Sequence, residues 1–229
     1  MAIDIKIDNV FELIELIKKR PVLYIGSNNI TSMENFMHGY DFACLVNDIE
    51  YNNIYPLFWY FHEWIMEKYN WNESTAGWKN IILKENNNDE IKALDVFFKQ
   101  IDEFKKLHPI SIEYIELTKE NLDFNSSDLC KTKVYNHKTE LFDLPVYEKA
   151  DKVFLVEHSH NFGFSIFVSY KGKMTGSDWR NRFKNSEKAK SFTKSLFDTN
   201  QKWNPLTGNM SEKINEIIKY SCQQRANLL

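Results

Sequence analysis

The spacing of the apolar residues changes at His108-Pro109, and this change limits the fold more than any other feature of the chain. Before it, apolar side chains recur every three to four residues; after it, they alternate with polar ones. The first spacing lines one face of an α-helix and the second lines one face of a β-strand. The expected fold class is α+β: an all-helical unit over residues 1–108, then a small antiparallel sheet with flanking C-terminal helices over 109–229. The two regions are expected either as separate units or packed together as one globule.

In the first region, Val10, Leu13, Ile14 and Ile17 share one helical face behind a possible cap at Asp8. Pro21 disfavours a helical Arg20, so that helix is expected to stop near Lys19. Gly26 permits a tight turn, and Thr31 with Glu34 has the form of a capping box. Arg20, Pro21, Tyr24 and Gly26 are therefore expected to form a structural loop, with Val22, Leu23, Tyr24 and Ile25 as an apolar pin between two helices. The second helix is expected over 32–48, burying Met33, Phe36, Met37, Tyr40 and Cys44. The third is expected over 56–69, with Pro56 at its first position and Phe58, Phe61, Trp64 and Ile65 on its buried stripe. Gly77 and Trp78 belong to a second structural loop. Asp89 is expected to cap a helix carrying Ile91, Leu94, Phe97, Phe98, Ile101 and Phe104. The predicted core contains Phe36, Phe61, Trp64, Leu94, Phe98 and Ile101.

Beyond Pro109, the alternation of Ile110, Ile112 and Tyr114 predicts a half-buried strand. Weaker strand signals occur at 133–135 and 140–147, the latter interrupted by Pro145. The clearest signal is an antiparallel hairpin, 152–157 with 164–170, joined by His-Ser-His-Asn-Phe-Gly. Two closing helices are expected, one capped by Ser186 and running to 197, the other capped by Ser211 and running to about 225.

Charge and cysteine usage narrow the function classes. Residues 1–108 hold 17 acidic and 11 basic side chains, a net charge of -6 inside a total of -3, so the remainder carries +3. Much of the basic excess falls in 171–194. Cys44, Cys130 and Cys222 form no CxxC pair, which suits reduced thiols and a cytoplasmic location. No apolar run approaches the ~20 residues needed to cross a bilayer, and the first residues lack the apolar core of a signal peptide. No membrane association and no cofactor are expected.

Few residues offer chemistry. His158 and His160 form the only close histidine pair, spaced as metal ligands on a strand are, though a polar turn explains them more simply. No Gly-x-Ser-x-Gly elbow is present, and no catalytic residue is assigned. The basic stretch 171–194 interleaves Trp179 and Phe183 with cations, as nucleic-acid sites do, yet a solvated helix and turn is the simpler reading on a chain of net negative charge, so a nucleic-acid partner is not expected. Trp59, Tyr60, Trp71, Trp179, Arg180 and Arg182 are the candidate anchors for a protein partner, since tryptophan, tyrosine and arginine dominate interface hot spots.

Four stretches carry a resemblance: Arg-Pro-Val-Leu-Tyr-Ile-Gly, Ser-Met-Glu-Asn-Phe-Met-His-Gly-Tyr, Glu-Ser-Thr-Ala-Gly-Trp, and the helix holding Ala93-Leu94, Phe97-Phe98 and Phe104. Over about residues 18–106 the chain resembles small bacterial immunity-type or accessory proteins encoded beside polymorphic toxins. The resemblance implies a protein that binds and neutralises a cognate toxin by covering its active site, and brings no established catalytic residues to this sequence. The alternative is a metal-dependent or nucleic-acid-binding enzyme using His158, His160 and the 171–194 stretch.

Overall fold

The computed structural model describes residues 7–47, 54–72, 75–117, 151–170, 173–174, 182–197 and 200–218. The fold is α+β, helices preceding and following an antiparallel sheet. The chain divides into two compact units, Met1–Leu107 and His108–Leu229. Among the described residues, no helix is long and apolar enough to cross a membrane.

The first unit is helical. Helix α1, Val10–Lys19, stops where Pro21 requires it to, but Asn9 and not Asp8 caps it, accepting from the backbone N–H of Phe11 and Glu12. Pro21 then opens a short helix, α2, Pro21–Ile25, closed by Gly26 at φ 77°. This left-handed conformation is what a glycine provides without steric cost. Helix α3, Ile30–Val46, has no Thr31–Glu34 capping box. Asn29 caps it through the N–H of Ser32, at 2.7 Å, while Glu90 from another helix accepts from the N–H and hydroxyl of Thr31. Glu34 instead faces Lys79 at 3.4 Å.

Pro56 does not start a helix as expected. Leu57 is extended, a short 3-10 turn Phe58–Tyr60 follows, and α4 is Phe61–Lys68. Gly77 and Trp78 open helix α5, Gly77–Glu85, so they form a helix start and not a loop. Asp89 caps α6, Glu90–Phe104, as its position predicts.

The core is a cluster of aromatic rings around Phe61. Its ring meets Phe97 and Phe104 edge-on at 5.5 Å, Trp78 at 5.9 Å, and stacks on Phe58 at 5.7 Å. Edge-to-face and offset pairs at such distances add ~0.5–1.5 kcal/mol each beyond area burial. Of the predicted core, Phe61, Leu94, Phe98 and Ile101 are buried, whereas Phe36 and Trp64 are half-buried.

In the second unit, β1, Pro109–Glu116, β2, Lys152–His158, and β3, Gly163–Tyr170, form the centre of an antiparallel sheet. Three two-residue strands complete it: β4, Lys173–Met174, β5, Arg182–Phe183, and β6, Asn204–Pro205. The order is β4-β3-β2-β1-β6, with β5 also paired to β3. One face, with Ile115, Val153, Leu155, Ile166 and Val168, packs on α7, Ser186–Phe197, through Ala189 and Phe197. The closing helix α8, Met210–Ile218, packs near β1 and buries Ile214 and Ile218. Asn185 and Asn209 cap these two helices, one or two residues before the expected Ser186 and Ser211. The weaker strand candidates at 133–135 and 140–147 lie outside the described residues, as do Cys130 and Cys222.

Candidate functional site

The hairpin between β2 and β3 turns through Ser159–His160–Asn161–Phe162, with His160 at φ 58°, Asn161 at φ 56° and Gly163 at φ 91°. Gly163 has a second constraint, since a Cβ there would collide with the carbonyl oxygen of Phe183. Strand alternation sends His158 to the sheet face that also carries Val156 and Ser165. The ring is 1% exposed, and its Nε2 lies 2.7 Å from Ser165 Oγ. Arg182 stands opposite Ser165 in register, donates to the carbonyl of Phe162 at 2.6 Å and stacks on that ring at 4.2 Å. Burial, with a smaller push from the Arg182 charge, drives the His158 pKa down to about 3. His158 is therefore a neutral core imidazole at pH 7.

His160 has a different environment. It is exposed, its Nδ1 lies 2.9 Å from Ser159 Oγ, and its ring sits 6.0 Å from that of His108. Ser159 clamps the turn to the start of β1, its N–H donating to His108 O at 2.8 Å and its Oγ accepting from His108 N–H at 2.9 Å. The turn thus ties the two histidines of the His-Ser-His motif to separate serines, one enclosed and one outward, and His160 finds His108 as its histidine neighbour. Among the described residues, no three His, Cys, Asp or Glu side chains gather as a metal site would need.

The candidate partner anchors divide. Tyr60 is fully buried and Trp59 half-buried, and their rings meet edge-on at 6.2 Å. Trp71 is half-buried and held, its Nε1 donating to Glu85 Oε1 at 2.9 Å with Lys84 5.0 Å from its ring. Arg182 is engaged with Phe162. Trp179 and Arg180 lie outside the described residues, as does most of 171–181. The described basic side chains of α7 include Lys188 and Lys194, both exposed, and Lys190, which pairs with Glu113 and lies 5.7 Å from the Trp203 ring.

The outward apolar groups lie elsewhere. Val22 and Leu23 of α2 are 62% and 66% exposed, the reverse of the expected buried pin, and α2 buries no residue at all. Arg20 and Gly26 are exposed beside them, and Tyr24 is half-buried. On α3, Phe42 is 66% and Val46 61% exposed, and on α6 Ile91, expected on the apolar face of that helix, is exposed beside the Glu90 that accepts from Thr31. Sequence reasoning missed Phe42 and Val46, although the signal is there. Met33, Met37 and Cys44 define the buried face of α3, and Phe42 and Val46 fall on the opposite side of the helical wheel.

These two arrangements define an α+β protein with outward apolar side chains on three helices of its helical unit and enclosed, hydrogen-bonded polar side chains in its sheet. Comparison with models of protein families, with curated proteins and with solved structures returns no match.

Proposed function

We propose that the chain acts by binding a protein partner through the outward apolar side chains of its helical unit, and that it serves as an immunity-type protein covering the active site of a cognate toxin. The observation that carries this reading is the group Val22, Leu23, Phe42, Val46 and Ile91, five large apolar side chains exposed on one unit. Single exposed apolar residues are ordinary, but grouped ones mark interaction surfaces. Phe42 and Val46 lie on α3, whose opposite side is fixed into the core by Met33, Met37 and Cys44. A rigid element presenting apolar groups loses little entropy when it docks. The acidic excess of residues 1–108 adds electrostatic steering toward a basic partner.

The test is co-expression of this chain with the product of the neighbouring gene, scoring growth and co-purification. Leu23→Asp and Phe42→Asp are expected to abolish both while leaving the far-UV circular dichroism melt unchanged. Full protection by the double variant would reject the binding reading. The rival, an enzyme built on His158 and His160, predicts instead that His160→Ala removes the activity.

A further inference from the structure

Helix α2 is short and gains nothing from burial. Helices under about 12–15 residues are marginal in water, and packing normally supplies what propensity does not. Helix α2 has five residues and buries none of them. Pro21 in its first turn and the left-handed Gly26 at its end fix its backbone instead. Pro21, Tyr24 and Ile25 are half-buried, while Val22 and Leu23 are 62% and 66% exposed. The turn thus holds two large apolar side chains outward on a defined backbone.

Available positive charge lies directly beside them. From residue 16 to residue 33 the chain has Lys18, Lys19 and Arg20 and no aspartate or glutamate. Lys18 is committed to Asp102 at 2.8 Å. Lys19 and Arg20 are exposed, and among the described residues neither has an ion pair or a side-chain hydrogen bond. The acids nearest in sequence are engaged elsewhere: Glu12 with the Asp8 N–H and Asn9, Glu15 with Lys105, and Glu34 with Lys79. The Arg20 side chain makes no cap, and its carbonyl accepts from the Leu23 N–H at 3.1 Å, which sets Leu23 one turn above it. Two uncommitted cations and two outward apolar side chains therefore share one five-residue stretch.

We infer that α2 and the Lys19–Arg20 pair before it receive a partner segment whose apolar side chain is flanked by aspartate or glutamate. This rests on the binding reading above and gives it a location and a chemistry. Carboxylates answer the two cations while the apolar side chain covers Val22 and Leu23, whereas a lysine-flanked segment would bring like charges together. The local sign is opposite to that of the helical unit, and the two act at different ranges. Net charge is felt out to a Debye length of ~8–10 Å, but a segment docked on α2 meets Lys19 and Arg20 directly. An anionic membrane surface is the weaker occupant, because recognition of lipid by charge takes about four or more clustered cations, and the chain as a whole is negative.

The test uses the full chain, three synthetic peptides of equal length, and vesicles of phosphatidylcholine mixed with phosphatidylserine. One peptide has leucines flanked by glutamates, one has the same leucines flanked by lysines, and one keeps the glutamates with serines replacing the leucines. Fluorescence anisotropy is expected to detect binding of the first alone, and sedimentation to find no chain on the vesicles. Binding of the first should weaken about tenfold when ionic strength rises from about 0.05 to about 0.3 M. It should weaken about as much in Leu23→Ser, in Val22→Ser, and in Lys19→Gln combined with Arg20→Gln, with circular dichroism verifying each fold. Lys19→Glu combined with Arg20→Glu should transfer the preference to the lysine peptide. Equal binding of the first two peptides, equal binding with and without leucines, or no binding of any peptide would each overturn the inference. So would indifference to these variants, or tighter binding to the vesicles than to the first peptide. The co-expression assay separates this failure from failure of the binding reading. Protection that needs Leu23 but survives Lys19→Glu with Arg20→Glu refutes the acidic segment alone, whereas protection indifferent to Leu23 and Phe42 refutes binding through the outward apolar groups.

Discussion

The two units depart from the inside-apolar, outside-polar rule to different degrees: among the described residues the helical unit exposes five large apolar side chains and the sheet unit one, Ile110, while the helical unit buries two polar side chains and the sheet unit five. The helical unit fills its centre with rings, Phe61 among Phe58, Trp78, Phe97 and Phe104, and still has Phe42, Val46, Val22 and Leu23 left on its surface. The sheet unit encloses polar side chains, each with a partner: His158 with Ser165, Ser159 with His108, Ser169 with Asp151, and Thr193 with the Ala189 carbonyl. Apolar groups on a surface await another surface, whereas satisfied polar groups in a core fix one pairing over its alternatives. The contrast separates a unit with outward apolar side chains from a unit whose enclosed polar side chains are hydrogen-bonded.

The largest effect expected is on the aromatic core. Phe61→Ala removes the ring that all the others touch, and should destabilise the helical unit by about 3–5 kcal/mol, read as a lowered urea midpoint. An unchanged midpoint would mean that the rings are not the foundation of that unit, and the contrast would lose its first half.

In the sheet unit the corresponding weak point is backbone. Gly163→Ala combines a left-handed φ of 91° with a collision against the Phe183 carbonyl, so β5 must shift away from β3. A loss of about 3 kcal/mol is expected in chemical denaturation. Gly39→Ala, by comparison, meets open space on a helix and should be neutral or stabilising, by up to about 1 kcal/mol.

The polar core gives a pH signature. His158 stays neutral in the fold down to about pH 3, while in the unfolded chain it binds a proton below about 6.5. The unfolded state therefore holds more protons between those values, and stability falls as pH drops. About 2 kcal/mol should be lost between pH 7 and pH 5 from this group. His158→Gln should flatten that part of the curve. An equally steep slope in the variant would show that the acid sensitivity arises elsewhere, and would remove His158 from the enclosed set.

How much of this was legible in the chain depends on which physics each feature obeys. The α+β order followed from the change of spacing at Pro109, and the main hairpin from its alternating Val, Phe and Ile, because burial of one face imposes those periods directly. Helix starts were less legible. Asp8, Thr31, Ser186 and Ser211 were reasonable caps, yet Asn9, Asn29, Asn185 and Asn209 cap instead. Asn, Asp and Ser are nearly equal as caps, so local chemistry cannot separate neighbours one or two residues apart. The Glu90–Thr31 contact spans 59 residues and has no local signal. The candidate anchors were least legible, since aromatic richness alone does not separate Tyr60, which is buried, and Trp59, which is half-buried, from side chains that face outward.

The smallest effect on stability is the one that sharpens the comparison most. Val22, Leu23 and Phe42 are exposed, so replacing each by serine removes little buried area. The change in folding free energy should stay within about 0.5 kcal/mol per site. If these side chains serve only the fold, the triple variant will be as active as the parent chain. If they are the recognition surface, partner binding should fall by at least about 2 kcal/mol, some thirtyfold in Kd, at unchanged melting temperature. Isothermal titration with the co-expressed partner, beside a thermal melt of the same sample, reads both quantities. A variant that melts early and binds weakly in proportion would return Val22, Leu23 and Phe42 to the core, and the difference between the two units would be one of composition alone.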